Sequence, residues 1–115
     1  METLLNKISE SGLDASSVSG EEAIIFWNHI RQHIATTPQE KAQSLIISAE
    51  YRNELKQPKI SIEELRSALE HLSLPSDAEL ILEVKNSLAD RLVEGGDYSG
   101  ACLLYTSPSP RDRFL

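Results

Sequence analysis

Apolar residues recur at three- and four-residue spacings along most of the chain, and no segment shows the strict alternation of a half-buried strand. Ala23, Phe26, Trp27, Ile30 and Ile34 share one face of a predicted helix over 20–36. Ile24 and Ile25 widen that face, so this helix is either well buried or packed on two sides. A second helix over 38–56 carries two stripes, Ala42, Leu45, Ile46 and Ala49 on one and Ile47, Tyr51 and Leu55 on the other. Pro58 ends it, because a proline disfavours helical geometry in the residue before it. A third helix over 62–73 aligns Ile62, Leu65, Ala68, Leu69 and Leu72 and stops before Pro75. A fourth over 77–94 aligns Ile81, Val84, Leu88 and Leu92. Gly95-Gly96 then supplies a left-handed stop, and Asp97 stands where it can cap a fifth helix. Residues 1–19 form either a short helix lined by Leu4, Leu5 and Ile8, followed by a loop at Gly12 and Ser16-Ser17-Val18-Ser19, or a disordered segment.

The helix starts share a signature. Ser or Thr followed three residues later by Glu is the capping box, in which each side chain satisfies an otherwise orphan backbone N–H. It occurs at Ser19/Glu22, Thr37/Glu40, Ser61/Glu64 and Ser76/Glu79, each time opening an apolar-periodic run. Pro38 follows Thr37 at the first helical position, where its missing N–H costs nothing. The expected fold is all-α, with short connections that pack neighbouring helices as antiparallel hairpins.

The end of the chain reads differently. Cys102 to Asp112 resembles a translated sequencing-library adapter. The codons TGT CTC TTA TAC ACA TCT, the transposase end of tagmentation libraries, give Cys102-Leu-Leu-Tyr-Thr-Ser107; CCG AGC CCA CGA GAC then gives Pro108-Ser-Pro-Arg-Asp112. The resemblance implies a natural frame interrupted after Ala101, with Arg113 to Leu115 drawn from a variable index. Residues 20–101 are then a truncated helical domain and 102–115 a non-native tail. A long read of the source gene across the Ala101 codon decides this: a frame continuing without Cys-Leu-Leu-Tyr-Thr-Ser is the expected result, and a gene encoding the tail through Leu115 sinks it.

The tail alters the composition. The 115 residues hold 11 Lys+Arg and 18 Asp+Glu, net −7; without Arg111, Asp112 and Arg113 they hold 9 and 17, net −8. Such an acidic chain repels phosphate backbones, so nucleic acid is not an expected partner. Cys102 is the single cysteine and lies in the tail, so a disulfide scaffold and a cysteine metal site are not expected upstream. The longest apolar run, Ala23-Ile-Ile-Phe-Trp27, is too short to span a bilayer, and no cationic, apolar leader follows Met1. No membrane partner and a cytoplasmic location are the corresponding expectations.

Leu88, Ala89, Leu92, Gly96, Asp97, Tyr98 and Ala101 resemble half of a tetratricopeptide repeat. That family offers a large, a small and a large residue on its first helix, a Gly-Asp-Tyr turn, and a small residue where the second helix crosses close by. Lys85 departs from the pattern, at a position where a large apolar residue is usual. The second and third helices could form a degenerate earlier hairpin, but the loop around Pro58 is too long for the same turn. The resemblance implies the N-terminal part of a tetratricopeptide-like α-solenoid, hence a non-catalytic scaffold that binds a protein or peptide.

Other constellations are weaker. Ile60-Ser-Ile-Glu-Glu-Leu resembles the exit of an EF-hand, with Glu64 as last ligand and Asn53, Leu55 and Gln57 at earlier positions. Calcium needs several charged oxygens, and the ligating positions offer one carboxylate, Glu64, with Pro58 where glycine is required. An accessory or regulatory domain with a degenerate, non-binding EF-hand fold, attached to a downstream domain beyond Ala101, is the alternative reading. His29 and His33 have a metal-ligand spacing without a third ligand, and read as surface histidines. The carboxylates of the first turns complement helix dipoles. No nucleophile, phosphate loop or cofactor motif stands out, so no catalytic, cofactor or metal residue is assigned. Phe26 and Trp27 read as core, with contact to a partner helix as the sharper alternative.

Overall fold

The residues up to Ala101 suffice for one core, yet the buried side chains among the described residues gather in two clusters, because the helix Pro38–Glu54 turns an apolar stripe to each. The computed structural model describes residues 2–106, with side chains described for residues 4–102. Six α-helices appear among these residues and no strand: α1 (Glu2–Glu10), α2 (Gly20–His29), α3 (Pro38–Glu54), α4 (Pro58–Glu70), α5 (Ala78–Glu94) and α6 (Tyr98–Thr106). The main contacts run between chain neighbours, α2 with α3, α3 with α4, α4 with α5 and α5 with α6, in a flat body with principal extents of 51 × 32 × 17 Å.

Ala42, Leu45, Ile46 and Ala49 of α3 join Leu65, Ala68, Leu72, Val84, Leu88, Leu92 and Ala101 in the larger core. Ile47 and Tyr51, on the other stripe, pack beside Leu4, Ile8, Ala23, Trp27, Ile30 and Ala35 in the smaller one. Residues 1–19 thus contribute a short helix whose Leu4 and Ile8 are fully enclosed. Leu5, on its flank, stays 42 % exposed.

The helix predicted over 20–36 changes character midway. After His29 the chain continues as a π-helical segment, Ile30–Ile34, closed by Ala35 N–H donating to Ile30 O at 2.7 Å. The wider turn brings both Ile30 and Ala35 into the smaller core, while Ile34 packs only at its edge.

Only one predicted capping box forms. Thr37 Oγ1 accepts from Glu40 N–H at 3.1 Å, and Glu40 Oε1 accepts from Thr37 N–H at 3.2 Å. Ser19 is the cap residue of α2 but makes no side-chain capping bond. Ser61 lies inside α4, and its hydroxyl donates to Ala49 O at 2.9 Å. Ser76 precedes the true cap, Asp77, whose carboxylate accepts instead from Ser73 N–H and Gln39 Nε2. The reason for the Ser61 error is Pro58. It does not merely end α3; it occupies the first turn of α4, where its fixed φ is pre-organised for a helix, so α4 begins four residues earlier than 62.

That correction shortens the α3–α4 connection to Leu55, Lys56 and Gln57. It closes as a Schellman motif, with Gln57 N–H to Arg52 O at 2.9 Å and Lys56 N–H to Asn53 O at 3.1 Å. The α5–α6 connection, Gly95, Gly96 and Asp97, has the same pattern, Asp97 N–H to Leu92 O at 2.8 Å and Gly96 N–H to Val93 O at 3.0 Å. Each residue of one turn stands 40 positions from its counterpart, as Lys56 and Gly96 show. The left-handed position is Lys56 (φ 64) in one and Gly96 (φ 86) in the other. A side chain is strained there, so Lys56→Gly is expected to stabilise the protein by about 0.5–1 kcal/mol, read as a raised midpoint in urea. An unchanged or lowered midpoint contradicts a strained Lys56.

Candidate functional site

A groove crosses α3 between α2 and α4. It forms because α3 is rich in small residues on the surface shared with these helices; Ser48 is 4 % exposed and Ala49 1 %. Ile24 and Ile25 of α2, Asn28, Arg31, Ser48, Arg52, Ile60 and Glu64 enclose about 400 Å³. Ile24 is buried, but Ile25 is 70 % and Ile60 38 % exposed. Ile25, which the sequence placed on the widened face of a buried helix, is therefore a surface side chain. These two exposed aliphatic residues, on different helices, are the apolar part of the site.

The polar part is built around Glu64. Its Oε2 accepts from the Ser48 hydroxyl at 2.6 Å, and its Oε1 lies 3.4 Å from Arg52 Nε. Arg52 also donates through Nη1 to Gln57 Oε1 at 2.9 Å. The Glu64 charge is thus matched inside the protein. Arg31 is different: it donates to Asn28 Oδ1, and among the described residues no carboxylate pairs with it. The groove therefore carries one uncompensated positive charge on a chain of net −7.

The same arrangement settles where the EF-hand-like residues go. Asn53 lies in the last turn of α3, Leu55 and Gln57 belong to the three-residue turn, and Glu64 is engaged by Ser48 and Arg52, so these residues form no ligating loop. His29 and His33 are exposed with ring centroids 4.8 Å apart, and the described residues hold no group of three or more His, Cys, Asp or Glu suited to a metal ion.

Trp27 is 4 % exposed and sits in the smaller core, its ring edge-on to half-buried Phe26 at 5.4 Å. What α2 presents to solvent at that level is Ile25. Leu88, Leu92 and Ala101 lie in the larger core with Ala89 against it. Gly96 takes the left-handed position, Asp97 Oδ1 accepts from Gly100 N–H at 2.8 Å, and Tyr98 is 65 % exposed. α6 continues past Ala101 to Thr106, so the start of the adapter-like tail is helical in backbone; residues 107–112 of that reading lie outside the described residues.

A second polar cluster is structural. Glu40 Oε1 accepts from Lys7 Nζ at 2.8 Å, Thr36 N–H at 2.9 Å, Thr36 Oγ1 at 3.1 Å and Thr37 N–H at 3.2 Å. Burial alone would raise this carboxyl's pKa, but the Lys7 ammonium and the Thr36 and Thr37 donors outweigh it and hold the group at about 2. The cluster ties α1 to the start of α3.

Sequence reading did not find Arg31, Arg52, Ile25 or Ile60 as a group. They come from three helices, and only tertiary packing brings them together. Compared with family models, curated proteins and solved structures, the chain matches none. Among the described residues no helix is long and apolar enough to cross a membrane.

Proposed function

We propose that the chain is a non-catalytic protein-interaction scaffold of tetratricopeptide-like helical hairpins, and that the groove between α2 and α4 receives a protein or peptide segment. The observation that carries the site is the exposed pair Ile25 and Ile60 lining one groove together with buried Ile24 and Ser48. Exposed aliphatic side chains grouped beside converging polar groups are what a docking surface offers.

The matched turns at Lys56 and Gly96 support a repeated helical hairpin, although their 40-residue offset is longer than the tetratricopeptide period of about 34 residues. The same 40-residue offset pairs Ala49 and Ser61 with Ala89 and Ala101. Each pair supplies small residues near a helix crossing; Ser61 even reaches Ala49 O. Two like units stacked through neighbours, in a flat body, fit a solenoid.

The test is selection of peptides from a random displayed library on the purified chain, followed by binding of the synthesised peptides. Ile25→Glu and Ile60→Glu should each weaken binding at least tenfold while shifting stability by no more than about 0.5 kcal/mol, as surface changes usually do. Peptides that bind both variants as tightly as the parent place the binding elsewhere.

A further inference from the structure

We infer that the segment docking between α2 and α4 is a short acidic one, carrying a carboxylate for Arg31 and an aliphatic or aromatic side chain between Ile25 and Ile60. This rests on the groove being a docking site, and adds the chemistry of its occupant.

Charge decides the sign. Glu64 Oε2 is bonded by Ser48, and its Oε1 is buried 3.4 Å from Arg52 Nε, an ion pair without a hydrogen bond, so the guanidinium of Arg52 and not an incoming cation balances its charge. Arg31 has only the neutral Asn28 amide, which leaves most of the guanidinium's five donors for a ligand. A carboxylate meets that planar fork in a bidentate geometry, stronger than a neutral hydrogen bond. The apolar walls exclude water on one side of the pair and raise its strength over that of a free surface pair.

Size decides the class. Ile25 and Arg31 are six residues apart on α2 and its π continuation, about 9 Å at the helical rise. An extended peptide covers that distance in about three residues. The occupant is therefore a linear segment with its apolar and acidic residues about three positions apart. A second copy of this chain is a poorer fit, since a stable dimer buries about 800 Å² per partner. A polyanion is a poorer fit as well. Glu21 and Glu63 are exposed one turn from Ile25 and Ile60 and repel a run of phosphates, yet allow a single carboxylate placed at Arg31.

The experiment uses the full chain and the random displayed library, with Arg31→Glu and Arg31→Gln beside the parent. Arg31 touches only Asn28 among the interactions of its head group, so both variants should fold, checked by circular dichroism and melting. The expected result is enrichment of peptides with Asp or Glu about three positions from Leu, Ile, Phe or Trp. Their affinity should fall at least tenfold in Arg31→Glu, less in Arg31→Gln, and selection on Arg31→Glu should turn to Lys and Arg. Peptides that lose binding in Ile60→Glu but not in Arg31→Glu overturn the acidic occupant and leave the groove standing. Peptides insensitive to all of these variants overturn both. Enrichment of basic peptides on the parent overturns the assignment of charge.

Discussion

Trp27→Ala is expected to remove about 3–5 kcal/mol, the range for emptying a large aromatic site in a core. Trp27 is 4 % exposed and packs with Leu4, Ile8, Ala23, Ile30 and Ala35, a cluster separate from that of α4, α5 and α6. The loss should therefore fall on the N-terminal part. Amide exchange in α1 and α2 should accelerate while the amides around Leu65, Val84 and Leu88 keep their protection. Trp27→Phe is the informative companion. Trp27 Nε1 is buried without a hydrogen-bond partner, so replacing the indole by a phenyl ring removes an unsatisfied donor along with some volume. Those changes oppose each other, and the expected cost is below about 1.5 kcal/mol. Urea unfolding followed by circular dichroism reads both variants. A Trp27→Phe cost as large as that of alanine contradicts an indole N–H without a partner.

Glu40 carries the second large effect. Its carboxyl is held at about 2 against an ordinary 4.5, so the folded state binds its proton less readily than the unfolded chain. A depressed acid contributes stability above the unfolded value and loses it as pH falls through the folded one. The contribution should be fully present above pH 4.5 and disappear between about 4.5 and about 2. Its size is on the order of 1–3 kcal/mol, given a carboxylate that is buried but paired with a half-buried lysine. Glu40→Gln should be destabilised by that amount at neutral pH and match the parent near pH 2. Lys7→Met should reproduce part of the loss, because it removes one donor of four. An equal cost of Glu40→Gln at both pH values rules out the electrostatic origin and leaves a packing effect.

Much of the helical plan was legible because it is local. The two stripes of α3 were legible, although the length pointed to one core and the side chains form two; the alignment of Val84, Leu88 and Leu92 gave the inner face of α5, and Gly96 and Asp97 marked a turn whose geometry their residue types demand. The errors have local competitors. Proline at position 58 set the start of α4 ahead of Ser61, and an inward-facing serine found a carbonyl on α3 instead of a backbone N–H of its own helix. Lys56 in the left-handed position gave no sign in the sequence, since lysine has no preference for it, and so the match between the two turns was hidden. Ile25, two residues from both Ala23 and Trp27, stands on the far side of α2 from the core, and the π segment after His29 leaves Ile34 at the core's edge. The groove could not be read at all, because its charge balance depends on which arginine Glu64 meets, and that is fixed only once α4 lies on α3.

The most direct test of the groove as a docking site is an amide and methyl chemical-shift titration of the isotope-labelled chain with a library-selected peptide. Shift changes confined to Ile24, Ile25, Asn28, Arg31, Ser48, Arg52, Ile60 and Glu64, saturating at one peptide per chain, are the predicted result. Changes clustered on the exposed surface of α5 and α6, with those residues unmoved, would contradict it.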